Sequence, residues 1–272
     1  MRAHRFFISL LLALILTSPS ITLPLHGTIK LLVIDDEESP WDVKSMEVLS
    51  RLNPSIEFKA IAWRRLKSEP LTHYHWLVIG SGYSSETLDG ICFFMSRVLK
   101  YVREAGLNLL ILNNVIRFGE GEPQDWWDVE VLKSLTIHYD KPPILTFQKL
   151  CNKIDPSLKV VKVDENEEFN GYVIRQLVLP RAHAPEGITP SVLKSINGSF
   201  LAFGWFEAFD HDAWKVALYG KIDGGALVPV AIYTRLGKGC VFLTTLFLDR
   251  LIVKEPRCKS FYDAIFYLGG GR

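Results

Sequence analysis

Residues 28–38 read TIKLLVIDDEE, and this stretch decides the fold class. Between Thr28 and Ile34 the residues are β-branched or leucine, apart from Lys30, which is the composition of a strand buried on both faces. Four consecutive acids, residues 35–38, follow the strand directly. An amphipathic helix comes next and Asn53 ends it, so the chain opens with a strand and a helix.

The next segments continue this alternation of strands and helices. Strands are predicted at Glu57–Trp63, Trp76–Ile79 and Leu107–Asn113. A helix is predicted at Ser84–Ala105, because its apolar residues recur every three or four positions, and Gly106 caps it. The order β-α-β-β-α-β favours parallel strands joined by right-handed crossovers. The predicted fold class is therefore α/β, with a mostly parallel central sheet flanked by helices.

The remainder of the chain divides into an irregular middle and an ordered end. Arg117–Asp128 is predicted to be a long loop and Val129–Leu135 a short helix. Prolines and mixed periodicity between Ile144 and Asn197 predict β-rich structure, with residues 150–200 as a candidate insertion in one domain of residues 27–272. The ordered end has four predicted strands, a tight turn and a closing helix: Ser199–Phe206, Ala213–Lys221, Val228–Thr234, Cys240–Leu246, Gly237–Gly239 and Cys258–Leu268.

The first 26 residues have the pattern of an export signal. A basic start at residues 1–5 precedes a nearly unbroken apolar block from Phe6 to Leu16, as in secretory signal peptides. Cleavage is expected after Ser20. Without cleavage, the uncharged stretch Phe6–Leu25 approaches the about 20 residues that span a bilayer and would act as a membrane anchor. A buried first helix or strand of the fold is the remaining alternative. The predicted location is extracytoplasmic, secreted or tethered by this segment.

The charge balance of the mature chain argues against one class of partner. Removing residues 1–20 takes away Arg2 and Arg5, so 31 basic residues become 29, against 30 acidic residues. A nucleic-acid-binding protein normally presents a basic face. No nucleic-acid partner is therefore expected.

Four cysteines are available in the mature chain: Cys92, Cys151, Cys240 and Cys258. No C-x-x-C spacing occurs, which argues against a thiolate zinc site or a thioredoxin-type redox motif. In an oxidising compartment the four could form two disulfides, and four separate buried thiols are the alternative. No metal and no cofactor are predicted.

Several segments share the order and spacing of a known family. The run HYHWLVIG at His73–Gly80 precedes a helix that ends at Tyr101–Gly106 and a strand at Leu109–Leu112. Later, Gly237–Gly239 joins two strands within Val228–Thr245. Together they resemble the class I glutamine amidotransferase-like superfamily, including ThuA-like domains and non-catalytic relatives in exported proteins and transporter accessory subunits. The resemblance implies a flavodoxin-like sheet with a C-terminal hairpin.

The catalytic residues of that family are not matched. Active members place a nucleophilic cysteine on a glycine-flanked turn between strand and helix, where backbone N–H groups can hold an oxyanion. Here the corresponding strand end reads Leu112-Asn113-Asn114-Val115, with neither cysteine nor glycine. The family's His-Pro-Glu run is matched only by His183-Ala184-Pro185-Glu186. The resemblance therefore favours a chain that is not an enzyme, because it lacks a cysteine nucleophile elbow, and no catalytic residue is assigned.

A second resemblance is local. Leu31–Glu37 looks like the first strand and metal-binding acidic pair of response-regulator receivers. The phosphoacceptor aspartate of a receiver would end the third strand, and that position here is Gly80 or Ser81. The acidic cluster alone therefore does not predict a receiver.

A ligand site is predicted at the carboxyl ends of the inner strands. In open α/β sheets ligands bind beyond those ends, where the strand order reverses. Alternatively, the acids have a structural role, because negative charges stabilise the start of the helix that follows them. The predicted ligand-binding residues are Asp35, Asp36, Gly80, Ser81, Gly82, Tyr83, Asn113 and Asn114.

Three other features remain open between function and structure. An aromatic stretch surrounds a polar turn in the sequence: Phe203, Trp205, Phe206, Phe209 and Trp214 lie around Asp210, His211 and Asp212. The aromatic residues could form a stacking platform beside these polar groups. Alternatively, they belong to the core and the turn is solvated. Trp126 and Trp127 could cover the crevice. Asn197-Gly198-Ser199 is an N-glycosylation acceptor sequence in an exported chain.

The sequence favours a non-catalytic role. The predicted function is an exported amidotransferase-like domain that binds or assembles at the cell surface or with a membrane transporter. The expected partners are a membrane or envelope protein complex and a carbohydrate or other small polar ligand. The alternative is an extracytoplasmic hydrolase acting on carbohydrate through Asp35 and Asp36 or through the Asp210–Asp212 turn.

Overall fold

The computed structural model describes residues 27–36, 41–81, 83–112, 143–160, 172–174, 176–181, 185, 188–194, 200–202, 204–222, 224–246, 248–254 and 256–270. The predicted export segment at 1–26 lies outside these residues. So do the glycine-rich loop at 117–128, the short helix at 129–135 and the acceptor asparagine Asn197.

The described residues form one large sheet, two small strand pairs and six α-helices. The twelve strands are β1 Ile29–Asp35, β2 Ile56–Ala62, β3 Trp76–Ile79, β4 Asn108–Ile111, β5 Lys159–Val160, β6 Tyr172–Ile174, β7 Gln176–Val178, β8 Phe200–Ala202, β9 Phe206–Ala208, β10 Lys215–Lys221, β11 Leu227–Leu236 and β12 Gly239–Thr244. The helices are α1 Trp41–Leu52, α2 Ser85–Ala105, α3 Pro143–Ile154, α4 Pro190–Lys194, α5 Leu248–Lys254 and α6 Lys259–Gly270. Short 3-10 turns occur at Trp63–Lys67, Leu71–His73 and Pro256–Cys258.

The large sheet is mixed, which corrects the expectation of a mostly parallel one. Its strand order is β2-β1-β3-β4-β12-β11-β10-β7. The first five strands in this order, β2-β1-β3-β4-β12, pair in parallel. Flavodoxin-like folds have the same arrangement, 2-1-3-4 followed by a last strand. The last three pairings are antiparallel. For β10, β11 and β12 the physical reason is loop length, because these strands are joined by short turns that permit only antiparallel neighbours.

The predicted C-terminal hairpin is confirmed as β11 and β12, with Gly237 and Lys238 at its tip. Two other expectations are wrong. Residues 143–154 form the helix α3 rather than β structure, with Pro143 at its first position and Phe147, Leu150 and Cys151 buried along one side. The single strand expected at Ser199–Phe206 is two strands in separate pairs.

Helices cover both faces of the sheet. On one face, α1, α5 and α6 pack against the side chains of Leu31, Val33 and Trp76. On the other face, α2 and α3 pack against Leu32, Leu77 and their neighbours. None of the helices that the structure describes is long and apolar enough to cross a bilayer. The inner parallel strands β1, β3, β4 and β12 are thus buried on both sides, whereas the edge strand β2 is partly exposed.

Candidate functional site

The carboxyl ends of β1 and β3 lie side by side, as the site prediction requires. Leu31 pairs with Trp76 and Val33 with Val78 in a parallel register. Strand β2 lies on the other side of β1, so the chain reverses its direction of winding between β1 and β3. This is the position at which open α/β sheets hold ligands. Two polar runs meet there, residues 35–36 and residues 80–81.

Tyr83 fixes the two strand ends to each other. Its side chain is fully buried, and its hydroxyl donates to the carbonyl of Ile34 at 2.6 Å and accepts from the N–H of Gly80 at 2.8 Å. Burial, followed by the charge of Asp42, raises the pKa of Tyr83 well above its usual value. The single hydroxyl proton is committed to Ile34, so Tyr83 shapes the floor of the crevice as a neutral phenol.

Asp36 holds the start of a helix. Only 6% of it is exposed, and its Oδ2 accepts a 2.6 Å hydrogen bond from the N–H of Ser84. Ser84 is the N-cap of α2, and its hydroxyl in turn accepts from the N–H of Thr87. The acid therefore serves the start of α2, a helix that is distant from it in sequence.

Asp42 is a site residue that the sequence interpretation missed. It lies in the first turn of α1, and 1% of it is exposed. Its Oδ1 accepts from the N–H of Val43, while its Oδ2 has no hydrogen-bond partner among the residues that the structure describes. Burial raises the pKa of Asp42, the hydrogen bond from the Val43 N–H opposes this rise, and the charges of Asp249 and Asp35 add to it, so that the pKa is about 8. At neutral pH this carboxyl group is protonated and can donate.

Asp249 is the second missed residue, from the first turn of α5. It is fully buried, and its Oδ2 accepts from both the N–H of Ser81 at 2.9 Å and the hydroxyl of Ser81 at 2.6 Å. Tyr262 of α6 lies close enough to Asp249 for that charge to act on it. Burial, and then the charge of Asp249, raise the pKa of the Tyr262 phenol well above its usual value. The Tyr262 hydroxyl, like Asp42 Oδ2, has no partner within the described ranges. The crevice therefore has a buried polar floor.

One sequence signal could have found Asp42. Asp42, Met46 and Leu49 are spaced by four and three residues, so the acid falls on the apolar stripe of α1 and not on its solvent face. An acid on such a stripe is buried, and buried carboxyl groups with few partners are candidates for functional sites. For Asp249, only its position three residues before the buried Ile252 gives a similar hint.

Gly80 is required by the packing of this floor, and it provides a first test. A Cβ at this position would lie 2.7 Å from the Cβ of Asp42 and 3.2 Å from the hydroxyl oxygen of Tyr83. We expect Gly80→Ala to lower the free energy of unfolding by about 2 kcal/mol, the usual effect of overpacking a rigid site. Urea denaturation followed by circular dichroism measures this. A wild-type denaturation midpoint would show that α1 does not press on the strand end.

The other predicted site residues divide into those placed and those outside the description. Ser81 lies in the crevice, fully buried, and Asp35 ends β1 half-buried beside it. Gly82, Asn113, Asn114 and the tryptophans Trp126 and Trp127 lie outside the described residues. The prediction that they bind a ligand stays a prediction.

The Asp210–Asp212 turn lies at the opposite edge of the sheet. It precedes β10, which runs in the same direction as β1 and β3, so the turn is beyond their amino ends. Asp210, His211 and Asp212 are exposed, and Asp210 Oδ1 accepts from the N–H of Asp212. The two acidic groups considered for a hydrolase are therefore not brought together.

The four cysteines are free, buried thiols, which is the second of the two alternatives considered. Burial raises the pKa of Cys240 in β12 to about 12 and raises the pKa of Cys92 and Cys151 as well. A thiol activated as a nucleophile needs a lowered pKa and access to solvent. Among the described residues, no cluster of His, Cys, Asp and Glu is arranged to hold a metal ion.

Comparison with known proteins gives structural neighbours only. No protein-family model and no curated protein matches the sequence. PurLQS from Thermotoga maritima is similar at 12% identity, over 88% of this chain and 98% of that one, with a TM-score of 0.51. A glutamine amidotransferase from Thermotoga maritima has 12% identity, coverages of 91% and 100% and a TM-score of 0.47. A β-galactosidase from Rahnella has 10% identity and a TM-score of 0.43.

These similarities concern the fold. The match covers 88% of this chain but only 31% of the β-galactosidase, so this chain spans about a third of that enzyme's length. At 12% identity the likeness to PurLQS shows the fold alone. The chain thus has an α/β fold with a mixed sheet, similar to the fold of PurLQS, and its function has to be argued from its own residues.

Proposed function

We propose that this chain is an exported, non-catalytic amidotransferase-like domain that acts as a binding or assembly module, at the cell surface or together with a membrane transporter. The observation that carries the proposal is a group of three aromatic side chains on α2 and on the turn Trp63–Lys67, of which Phe93 is exposed. The export part depends on the basic and apolar pattern of residues 1–26.

Three aromatic residues form a continuous surface that we call the aromatic ledge: Trp63, Phe93 and Phe94. Phe93 is 79% exposed. Its ring centroid is 5.0 Å from that of Phe94, which is 6.2 Å from that of Trp63. The guanidinium of Arg64 covers Trp63 at 4.9 Å from the ring centroid. Arg64 is also ion-paired with Glu86. The ledge thus combines an exposed apolar ring with an arginine that stacks on an aromatic face, and both residue types are enriched in protein interfaces.

The ledge is built by a glycine in α2. A Cβ at Gly90 would lie 2.2 Å from the ring of Trp63, so only glycine lets this ring pack directly on the helix. The indole then supports Phe94, and Phe93 projects beyond it. Leaving a phenylalanine in water costs about 2 kcal/mol relative to burying it. A partner with an apolar surface would recover that free energy on binding, which is why exposed aromatic groups of this kind mark interaction sites.

The thiols support the non-catalytic part of the proposal. Amidotransferase chemistry needs an exposed thiolate at a strand end. Cys240 lies within β12, 2% exposed, and its raised pKa keeps it protonated. Cys92 and Cys151 point from α2 and α3 into the shared core of that face. These three sulfur atoms serve packing.

A capture experiment with a single ledge variant tests the proposal. We expect the full chain to retain an envelope or transporter protein from detergent-solubilised membranes, and Phe93→Ser to reduce that capture at least about tenfold, because a buried aromatic anchor contributes 2 kcal/mol or more. Leu227→Ser is the matched control, since Leu227 is 52% exposed at the start of β11. Equal capture by wild type and Phe93→Ser would refute a role for the ledge.

Export has its own measurement. We expect the protein recovered from cells to lie in the extracytoplasmic or membrane fraction, either beginning after Ser20 or with the apolar segment retained as an anchor. Amino-terminal sequencing distinguishes these two forms. Full-length protein in the cytosolic fraction would contradict the proposed export. The capture experiment tests the ledge separately and would not be affected.

The alternative of a carbohydrate hydrolase is kept for one observation, the protonated acid in the crevice. Glycosidases use two carboxyl groups whose environments drive their pKa values apart. Burial raises the pKa of Asp42 to about 8, so this carboxyl group could serve as the acid of such a pair. Turnover of nitrophenyl glycosides that is lost in Asp42→Asn would favour the hydrolase over the module.

A further inference from the structure

A second cleft lies at the amino edge of the parallel strands, away from both the crevice and the ledge. Its volume is about 660 Å³, within the range of pockets that hold small molecules. The end of α3, the turn before β10 and the end of β11 form its walls. Its lining residues are Ile154, Asp155, Pro156, Asp212, Ala213, Trp214, Lys215, Tyr233, Thr234, Arg235 and Leu236.

Side-chain hydrogen bonds fasten these walls to one another. Trp214 donates from its indole nitrogen to Asp155 Oδ2 at 2.8 Å, which joins the turn to the end of α3. Thr234 donates from its hydroxyl to the carbonyl of Ala213 at 2.6 Å, which joins the turn to β11. The cleft is therefore formed before any ligand arrives, and little ordering is needed on binding.

Two cations and a tyrosine line up along the cleft. Lys215 lies directly opposite Tyr233 in the antiparallel register of β10 and β11, so both side chains are on the same face of the sheet. Arg235 is two residues beyond Tyr233 and shares that face. Burial, followed by the effect of Cys240, raises the pKa of Tyr233, and the positive charge of Arg235 opposes this rise. The three side chains therefore form one row with two positive ends.

One carboxylate of the cleft accepts no hydrogen bond from the other described residues. Asp155 accepts from Trp214 and from the N–H of Ser157, whereas the exposed side chain of Asp212 has no hydrogen bond within the described part of the chain. The Arg235 guanidinium likewise makes none there. Lys215 uses one of its three N–H groups on the carbonyl of His211. The remaining donors exceed the remaining acceptors, which suits a ligand that is anionic and also carries hydroxyl groups.

We propose that this cleft binds a small hydroxylated anion of the acidic-sugar type, with its carboxylate held by Lys215 and Arg235, its ring against Tyr233 and a hydroxyl donating to Asp212. A planar guanidinium pairs with a carboxylate through two parallel hydrogen bonds, which a neutral sugar cannot accept in the same way. This site goes beyond the module proposed above, since it is at another edge and uses none of the residues of the ledge.

Calorimetric titration of the full chain with D-glucuronate tests the site, with D-glucose as the uncharged probe. We expect saturable binding of glucuronate and at least about tenfold weaker binding of glucose, because the carboxylate is the group that the two cations recognise. Arg235→Gln is expected to weaken glucuronate binding at least about tenfold. Lys238→Gln removes an exposed cation from the nearby hairpin tip, outside the cleft lining, and should leave binding unchanged.

Three outcomes would overturn the proposal: no saturable binding of glucuronate, equal affinities for glucuronate and glucose, or an unchanged affinity in Arg235→Gln with the wild-type circular dichroism spectrum. Arg235 is exposed, so loss of folding is not expected to interfere. Membrane capture through Phe93 is measured separately and does not depend on the result.

Discussion

Replacing Asp42 with asparagine is expected to raise the free energy of unfolding at pH 7 by about 4 kcal/mol, since each unit of pKa shift corresponds to about 1.4 kcal/mol. The carboxyl group ionises near pH 4 in the unfolded chain and near pH 8 in the fold. Between these values the folded protein holds a proton that the unfolded chain has lost. Asparagine has nearly the same shape and no ionisation, so this difference disappears.

The pH dependence of stability follows from the same pKa values. Because the folded-state pKa of Asp42 is raised, its ionisation in the unfolded chain makes unfolding progressively more favourable as the pH rises from about 4 to about 8, and the effect is constant above pH 8. Burial is the largest cause of the raised pKa of Asp42, and the carboxylates of Asp249 and Asp35 add to it. We expect Asp42→Asn to match the wild type near pH 4 and to exceed it increasingly up to pH 8.

Urea unfolding at a series of pH values measures this difference. Asp212→Asn is the matched control, since it makes the same chemical change at an exposed position and removes no buried acid. Parallel pH profiles for wild type and Asp42→Asn would contradict the proposed burial of the acid. A confirmed gain would mean that the natural sequence retains an acid at the expense of stability, which is typical of functional sites.

Much of the fold could be predicted from the sequence because its parallel strands are short, apolar and bounded by polar turns. The strands β1 and β3 and the helix α2 have nearly the predicted bounds. The adjacency of β1 and β3, on which the site prediction depends, is given by the strand order of the structure. The mixed character of the sheet was missed because the strand pattern alone does not give strand direction. That direction depends on the lengths of the turns between β10, β11 and β12.

The helix α3 was missed for a local reason. The helix begins at Pro143, whereas the prolines and mixed periodicity between Ile144 and Asn197 predict β-rich structure for that whole segment. Proline at the first helical position is nevertheless favourable, since no backbone donor is needed there. The spacing of Phe147, Leu150, Cys151 and Ile154 is helical and was the better guide.

The site was predicted only in part, because two of its acids come from helices that cross the strand ends in space. The order of residues near Asp35 and Gly80 revealed those strand ends. Asp249 is 168 residues away from Ser81 in sequence, and their hydrogen bonds depend on how α5 packs against α1. No local pattern predicts such a contact.

Replacing Gly237 with alanine is expected to lower the free energy of unfolding by 3 kcal/mol or more, the effect of strained backbone together with forced separation of packed elements. Gly237 is at the tip of the β11–β12 hairpin with φ +64°. A Cβ there would lie 2.4 Å from the carbonyl oxygen of Arg103 and 2.8 Å from its Cα, which are backbone atoms that cannot rotate away. The tip would have to leave the end of α2.

This contact matters because it positions β12 in the sheet. Lys238, next to Gly237, donates from its N–H to the same Arg103 carbonyl at 2.9 Å. Strand β12 follows at once and pairs in parallel with β4, joining the parallel and antiparallel parts of the sheet. Displacing the tip therefore weakens the centre of the sheet and not merely a surface turn.

Gly224→Ala separates strain from contact. Gly224 has φ +86° in the β10–β11 turn, and a Cβ there would meet nothing within 4 Å. Both substitutions force alanine to a positive φ, which costs about 1 kcal/mol. Only the one at Gly237 also meets the α2 backbone. We expect Gly237→Ala to be the more destabilising by about 2 kcal/mol in urea unfolding, and equal losses in the two variants would show that the hairpin tip does not press against the helix.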